Sequence, residues 1–197
     1  ALSARPSMDV VVSTDDEEIA TVARGAGALV PFLRPADLAL DTTPTEPVVR
    51  HAIAAAREAD AAPDAVMLLQ ATSLVRHPGT LSRAIVQLEA SGVDSLVGVV
   101  PQAPFLWAEG TGGAPPTAAY DVSARPRRQD LTPHTLRYRE TGSLYLTRTW
   151  VYDQLDNRLG GRIGLFVMDE LEGIDVDTEL DLEVADGGAD DHPLAAL

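Results

Sequence analysis

Apolar positions along the chain alternate between two rhythms. Short, nearly unbroken apolar runs recur at Asp9–Ser13, Ala28–Phe32, Ala65–Leu69, Leu96–Val100, Gly142–Thr147 and Ile163–Met168. Such runs suit strands covered on both faces. Between them apolar residues recur every three or four positions, as on one side of a helix. Ile19, Val22 and Ala23 make one such stripe, opened by Asp15 three residues before Glu18 and stopped at Gly25 and Gly27. A second stripe comprises Val48, Val49, Ala52, Ile53 and Ala56, with Thr45 as the expected N-cap and Pro47 in the first turn. A third follows Pro78 with Leu81, Ile85 and Leu88 and closes at Gly92. A short helix is expected from Trp150 to Leu155, and a last one, capped by Thr178, through about Ala185. Strands alternating with amphipathic helices predict an α/β fold with a largely parallel sheet.

The rhythm breaks between Pro101 and Tyr138. This stretch has six prolines, three glycines and the basic cluster Arg125-Pro126-Arg127-Arg128, with few core positions. A segment this long without regular patterning is expected to act as an arm or binding loop, or to be disordered.

Composition narrows the partners. The 197 residues suffice for one domain with a sizeable core. No apolar run is long enough to span a bilayer, and the start does not resemble a signal peptide. The chain contains no cysteine, which excludes disulfides and thiolate metal sites and is compatible with a cytoplasmic setting. The formal net charge is −15, and all 15 basic residues are Arg. Such a surface repels nucleic acid and anionic membranes, although clustered Arg residues can still form a local anion site.

Three groups could carry chemistry. Asp175 and Asp177, in Gly173-Ile174-Asp175-Val176-Asp177-Thr178, would point to one side of an extended segment. Paired carboxylates can hold a hard divalent ion beside phosphate oxygens, or simply cap the following helix. Gln70-Ala71-Thr72-Ser73 ends a buried strand, where open α/β sheets place ligands. The same four residues could instead satisfy only their own turn. Arg34, and Arg127 with Arg128, could pair with anions. His51, His77, His134 and His192 show no metal-binding spacing.

In order along the chain, Val11-Val12-Ser13-Thr14-Asp15, Val30-Pro31-Phe32-Leu33-Arg34-Pro35, Leu68-Leu69-Gln70-Ala71-Thr72-Ser73, Arg127-Arg128-Gln129-Asp130-Leu131, Gly142-Ser143-Leu144-Tyr145 and the Asp175 segment resemble the acylneuraminate cytidylyltransferase family. The resemblance implies a three-layer α/β/α domain of the nucleotide-diphospho-sugar transferase kind over residues 1–197, with 101–138 as a dimerisation arm. It implies a cytoplasmic homodimer that uses CTP and Mg²⁺ (or Mn²⁺) to convert an acidic 2-keto-3-deoxy sugar into its CMP derivative, releasing pyrophosphate. It makes Asp175 and Asp177 the catalytic metal carboxylates, and Arg34, Thr45 and Gly142 nucleotide contacts. Gln70, Tyr145 and Arg139 become sugar contacts, and Arg128 the arginine supplied by the partner's arm.

Several positions depart from that pattern. The family's glycine-rich phosphate loop has no counterpart, so residues preceding Ala1 are expected to supply it together with a first strand. Thr141 stands where the family has Asn, and Ala71 and Leu74 where it has Pro. Arg158 and Leu159 stand where sialic acid enzymes place two aromatics near the N-acyl group, which leaves other nonulosonates or an octulosonate open. A catalytically silent pairing subunit, or a nucleotidyltransferase for another base or sugar, is the alternative reading.

Overall fold

A computed structural model describes residues 8–176 and Asp181. Its central sheet has four strands, β1 (Ala65–Leu68), β2 (Ser95–Gln102), β5 (Arg137–Arg148) and β6 (Ile163–Val167), in the order β1-β5-β2-β6. Two further strands, β3 (Trp107–Ala108) and β4 (Thr117–Ala118), form a separate antiparallel pair. The helices are α1 (Glu17–Gly25), α2 (Thr45–Glu58), α3 (Thr80–Ser91) and α4 (Thr149–Leu155).

The expectation of a largely parallel sheet holds in part: β1, β2 and β6 run in one direction and β5 is reversed. β2 and β6 pair in parallel, but β5 runs antiparallel to both neighbours, β1 and β2. The cause lies in the connection. A parallel neighbour requires a crossover, usually helical, whereas a chain that leaves a strand and returns without one comes back antiparallel. Residues 103–136 hold only the β3–β4 pair and one 3₁₀ turn at Arg128–Asp130, so β5 re-enters beside β2 in the opposite direction. The irregular stretch is correspondingly shorter than expected at both ends, because Pro101 and Gln102 belong to β2 while Arg137 and Tyr138 belong to β5.

Alternating side chains serve the two faces. Leu81, Ala84 and Leu88 of α3 cover one face, packing with Leu96, Val100, Leu144, Leu146, Phe166 and Met168. Val49 and Ile53 of α2 and Tyr152 of α4 cover the other, against Val66 and Leu68. Within β1, Ala65 and Met67 face α3 while Val66 and Leu68 face α2 and α4, the period of two that a doubly covered strand requires. The three expected layers are therefore present. Gly92 closes α3 with φ of 64°, a left-handed conformation that glycine adopts without strain.

The N-terminal elements differ more. Asp9–Ser13 and Ala28–Phe32 do not become sheet strands; they share one parallel bridge, Val11 to Leu29. In α1, Ile19 and Val22 remain exposed while Ala20 is the buried residue. The cap of α1 is Asp16 rather than Asp15, its side chain accepting from the backbone N–H groups of Glu18 and Ile19. Thr45 is the first residue of α2, not its N-cap, which is Pro44. The expected helix from Thr178 lies outside the described residues apart from Asp181. No described helix is long and apolar enough to cross a membrane.

The β2–β5 register shifts between Val97 and Val99, where Gly98 meets the other strand. A Cβ at Gly98 would lie 2.8 Å from the Met168 sulfur and 3.0 Å from the Leu144 carbonyl oxygen. The thioether can swing away but the carbonyl is backbone. Gly98→Ala should therefore lower unfolding stability by about 1–3 kcal/mol, read as a shift of the urea midpoint. An unchanged midpoint would mean that the bulge opens to admit the methyl group.

Candidate functional site

Three backbone segments converge just beyond the carboxyl end of β1. The turn Gln70–Ser73 follows that strand, the β5 bulge brings Gly142 alongside, and Gly173–Val176 arrives from β6. The Val176 N–H donates to the Thr72 carbonyl at 3.0 Å, and the Ser73 hydroxyl lies 3.5 Å from Asp175 Oδ1. Gly142 has φ of 74°. A Cβ on it would fall 2.5 Å from Gln70 Oε1 and 3.5 Å from Asp175 Oδ2. The absence of a side chain at Gly142 is what lets an amide and a carboxylate, 105 residues apart in the chain (175 − 70), share one small space. Thr141 holds the bulge: its hydroxyl donates to the Gly98 carbonyl at 3.1 Å and accepts from the Ser143 N–H at 3.2 Å.

A buried charged frame stands behind these residues. The Glu172 side chain is fully buried and accepts from the backbone N–H groups of His77 at 3.0 Å and Asp169 at 3.3 Å. It therefore ties the strand that leads to Asp175 to the loop that follows Ser73. Arg76 Nη2, from that loop, donates to the Ser143 carbonyl at 2.9 Å and hydroxyl at 2.6 Å. Burial pulls the Arg76 guanidinium below its ordinary range, with Glu172 opposing the shift. Arg139 Nη2 donates to the Gly173 carbonyl at 3.2 Å, beside the turn into Asp175. Sequence reading missed Glu172 and Arg76. Nothing local distinguishes a fully buried glutamate from the many exposed ones in an acidic chain.

A second charged group surrounds Tyr145. Its hydroxyl donates to Glu140 Oε1 at 2.5 Å, a pairing across five residues that the bulge makes possible. Burial, then the Glu140 hydrogen bond, push the phenol up to about 12, so it remains a neutral donor. Arg158 lies over the Tyr145 ring, 5.2 Å from its centroid, and its Nε donates to Glu46 Oε1 at 2.6 Å. Glu46 is the second residue of α2, directly after Thr45. The hydrogen bond from Arg158 holds the Glu46 carboxyl below the usual carboxylate range, against the opposing effect of burial.

The remaining expected contacts are placed separately. Arg34 closes the N-terminal bridge region, its Nη2 donating to the Ser13 carbonyl at 2.5 Å and its backbone N–H to the Thr14 carbonyl at 2.7 Å. Its Nε is buried without a hydrogen-bond partner among the described residues, as is the Ser13 hydroxyl. Arg128 is exposed on the 103–136 excursion, 5.8 Å from the Phe105 ring centroid. Asp177 lies outside the described residues. Among the described residues no three His, Asp or Glu side chains are grouped as a metal site.

No family model matches the chain. Over 180 residues it is 32% identical to N-acylneuraminate cytidylyltransferase A of Danio rerio, covering 90% of this chain and 40% of that protein. Over 185 residues it is 30% identical to post-translational flagellin modification protein B of Campylobacter coli, covering 90% of this chain and 75% of that one. Over 101 residues it is 40% identical to CMP-N,N'-diacetyllegionaminic acid synthase of Legionella pneumophila, covering 51% of this chain and 43% of the synthase. The chain thus spans well under half the length of the first relative and three quarters of the second.

Two substitutions test the charged groups. Glu172→Gln keeps the shape but offers one acceptor oxygen to two N–H donors and turns an NH₂ toward the other. It should cost about 1–3 kcal/mol, measured by denaturant unfolding; a neutral result would show the frame to be dispensable. For Glu46 the sign follows from its depressed folded value. Its contribution is fully present above the unfolded carboxyl value, about 4.3, and is lost as pH falls through the lower folded value. Thermal unfolding of Glu46→Gln should therefore vary less steeply with pH below about 4.3 than that of the parent protein, and parallel curves would remove the pair from the acid response.

Proposed function

The chain belongs to the acylneuraminate cytidylyltransferase family, and from that premise we propose that the protein of which it is part transfers CMP from CTP to an acidic 2-keto-3-deoxy sugar, a nonulosonate. The observation that carries this reading is the convergence of Gln70, Gly142 and Asp175 at the carboxyl end of β1. In open α/β sheets ligands bind at that edge. There an amide suited to hydroxyl groups lies beside a carboxylate suited to a hard ion.

In the proposed reaction the sugar's anomeric hydroxyl attacks the α-phosphorus of CTP. An O–P bond forms, the bond between the α-phosphorus and the bridging oxygen breaks to release pyrophosphate, and the hydroxyl proton passes to solvent. Gln70 and the Tyr145 phenol orient the sugar, the phenol as a donor kept neutral by its environment. Arg139, beside the Asp175 turn, would pair with the sugar carboxylate. Arg34 and Thr45 would contact the nucleotide. The unsatisfied Arg34 Nε and Ser13 hydroxyl are consistent with a ligand there, since buried polar atoms ordinarily find partners.

The donor set fits Mg²⁺ or Mn²⁺. Carboxylate oxygens are the hard ligands these ions take, and the contact of Asp175 with Ser73 is long enough to leave its oxygens available. Asp175 and Asp177 would hold the ion, which would offset charge gathering on the reacting phosphate. Its other positions would fall to phosphate and water oxygens. Arg128, carried on the 103–136 excursion and exposed there, would serve a neighbouring subunit in a homodimer. Light scattering reads that assembly directly.

Pyrophosphate release from the full-length protein with CTP, Mg²⁺ and a panel of acidic sugars tests the reading. Turnover is expected with at least one nonulosonate and should fall at least 100-fold, by the usual worth of such charge stabilisation, in Asp175→Ala and in Asp177→Ala, with the folded circular dichroism spectrum kept. Silence with every sugar would refute the proposed activity, and retained turnover in either variant would refute its metal role.

A further inference from the structure

Tyr145 is held between two opposite charges. Its hydroxyl donates to Glu140, which is exposed, while its ring lies under the Arg158 guanidinium. Arg158 is itself anchored: its Nε is committed to Glu46, and both side chains of that pair are mostly buried, at 23% and 18% exposure. The Arg158 carbonyl accepts from the Thr147 hydroxyl at 2.5 Å, which fixes the backbone of the loop to β5. Neither the position of the guanidinium nor its charge is therefore incidental to an exposed loop. Of the five N–H donors of an arginine, Glu46 engages the Nε one and the terminal groups lie toward the Tyr145 oxygen, where more than one donor is available to an acceptor.

We infer that the Arg158–Glu46 pair determines substrate specificity, selecting a nonulosonate whose substituent beside Tyr145 is a hydroxyl rather than an acylamino group. The inference rests on the proposed cytidylyltransfer reaction and on Tyr145 contacting the sugar. A hydroxyl is both donor and acceptor, so it can give its proton to Glu140 and accept from Arg158 in the same small space. An acylamino group can hydrogen-bond too, but it also brings an apolar methyl against a guanidinium and a carboxylate. The methyl strips water from both charges and returns no hydrogen bond, a penalty that falls mainly on Arg158, the mostly buried one of the two. A wall suited to an acyl group would be apolar or aromatic. Leu68, Tyr138 and Leu159 pack into the cluster of Tyr145 with Val97 and Val99, and the ring of Tyr145 is covered by the Arg158 cation.

The test compares two probes on the full-length protein with CTP and Mg²⁺: a deaminated nonulosonate bearing a 5-hydroxyl, and its 5-acetamido counterpart. The parent protein should use the hydroxyl sugar with kcat/KM at least about tenfold higher, the scale of one mismatched apolar contact. Arg158→Phe and Glu46→Ala should narrow or reverse that ratio, mainly through KM, whereas Arg158→Lys, which keeps the charge, should retain more of it. A parent enzyme that turns over the acetamido sugar equally well or better overturns the inference and leaves the proposed reaction standing. If neither sugar is turned over, the proposed reaction is decided separately by the wider panel of acidic sugars. Calorimetric binding of the two sugars in the presence of CTP then decides the inference alone: preference for the hydroxyl sugar supports it, and equal or reversed affinity overturns it.

Discussion

The placement of β5 between β1 and β2 is the constraint on which the rest of the molecule depends. Its backbone pairs with both neighbours, Leu68 opposite Tyr145 on one side and Val97 opposite Tyr145 on the other. Leu144 and Leu146 thereby enter the α3 side of the core, while Tyr145 joins Val97 and Val99 on the opposite side. A strand interior to a sheet cannot slip by one residue without exchanging its faces, so this register is strongly determined. The one departure from regular pairing is the shift between Val97 and Val99, and it falls where Gly142 approaches Gln70 and Asp175. A bulge inserts an extra residue and re-aims side chains. Here it also leaves Glu140 and Tyr145 within reach of one another.

The site then depends on buried charge in an acidic chain. Glu172 and Arg76 lie behind the converging turns, and Glu46 and Arg158 flank Tyr145. Removing such groups from water is expensive, and their mutual attraction offsets that loss only with good geometry. Their value is therefore positional. Glu172 bonds two backbone N–H groups from different segments, and Arg76 bonds both the carbonyl and hydroxyl of Ser143 next to Gly142. The exposed ion pairs, such as Arg57 with Asp153, contribute little by comparison because water screens them.

Local pattern was sufficient for the elements whose environment is repetitive. Val49 and Ile53, Leu81 and Leu88, and the run Leu96–Val100 each follow the period of the helix or strand they form, and each is buried as that period requires. It failed where burial depends on a distant neighbour. The stripe of Ile19 and Val22 has helical spacing, yet both residues are exposed among the described residues. Strand direction failed for a related reason. Apolar runs at Leu96–Val100 and Gly142–Thr147 say that two strands exist, while their relative direction depends on how the intervening chain returns.

The same division runs through the site. Residue type alone pointed to Gln70 and Asp175, since the chemistry of an amide or a carboxylate is a local property, while Gly142, Tyr145 and Arg139 came only from the family resemblance. The meeting of Gln70, Gly142 and Asp175 beyond β1, the bulge at Thr141 that permits it, and the burial of Glu172 were decided only by tertiary structure. So was the capture of Arg158 by Glu46, two residues separated by 112 positions. Sequence determines what each side chain can donate, accept or exclude, but which partner it meets depends on sheet order and register, which are properties of the whole chain.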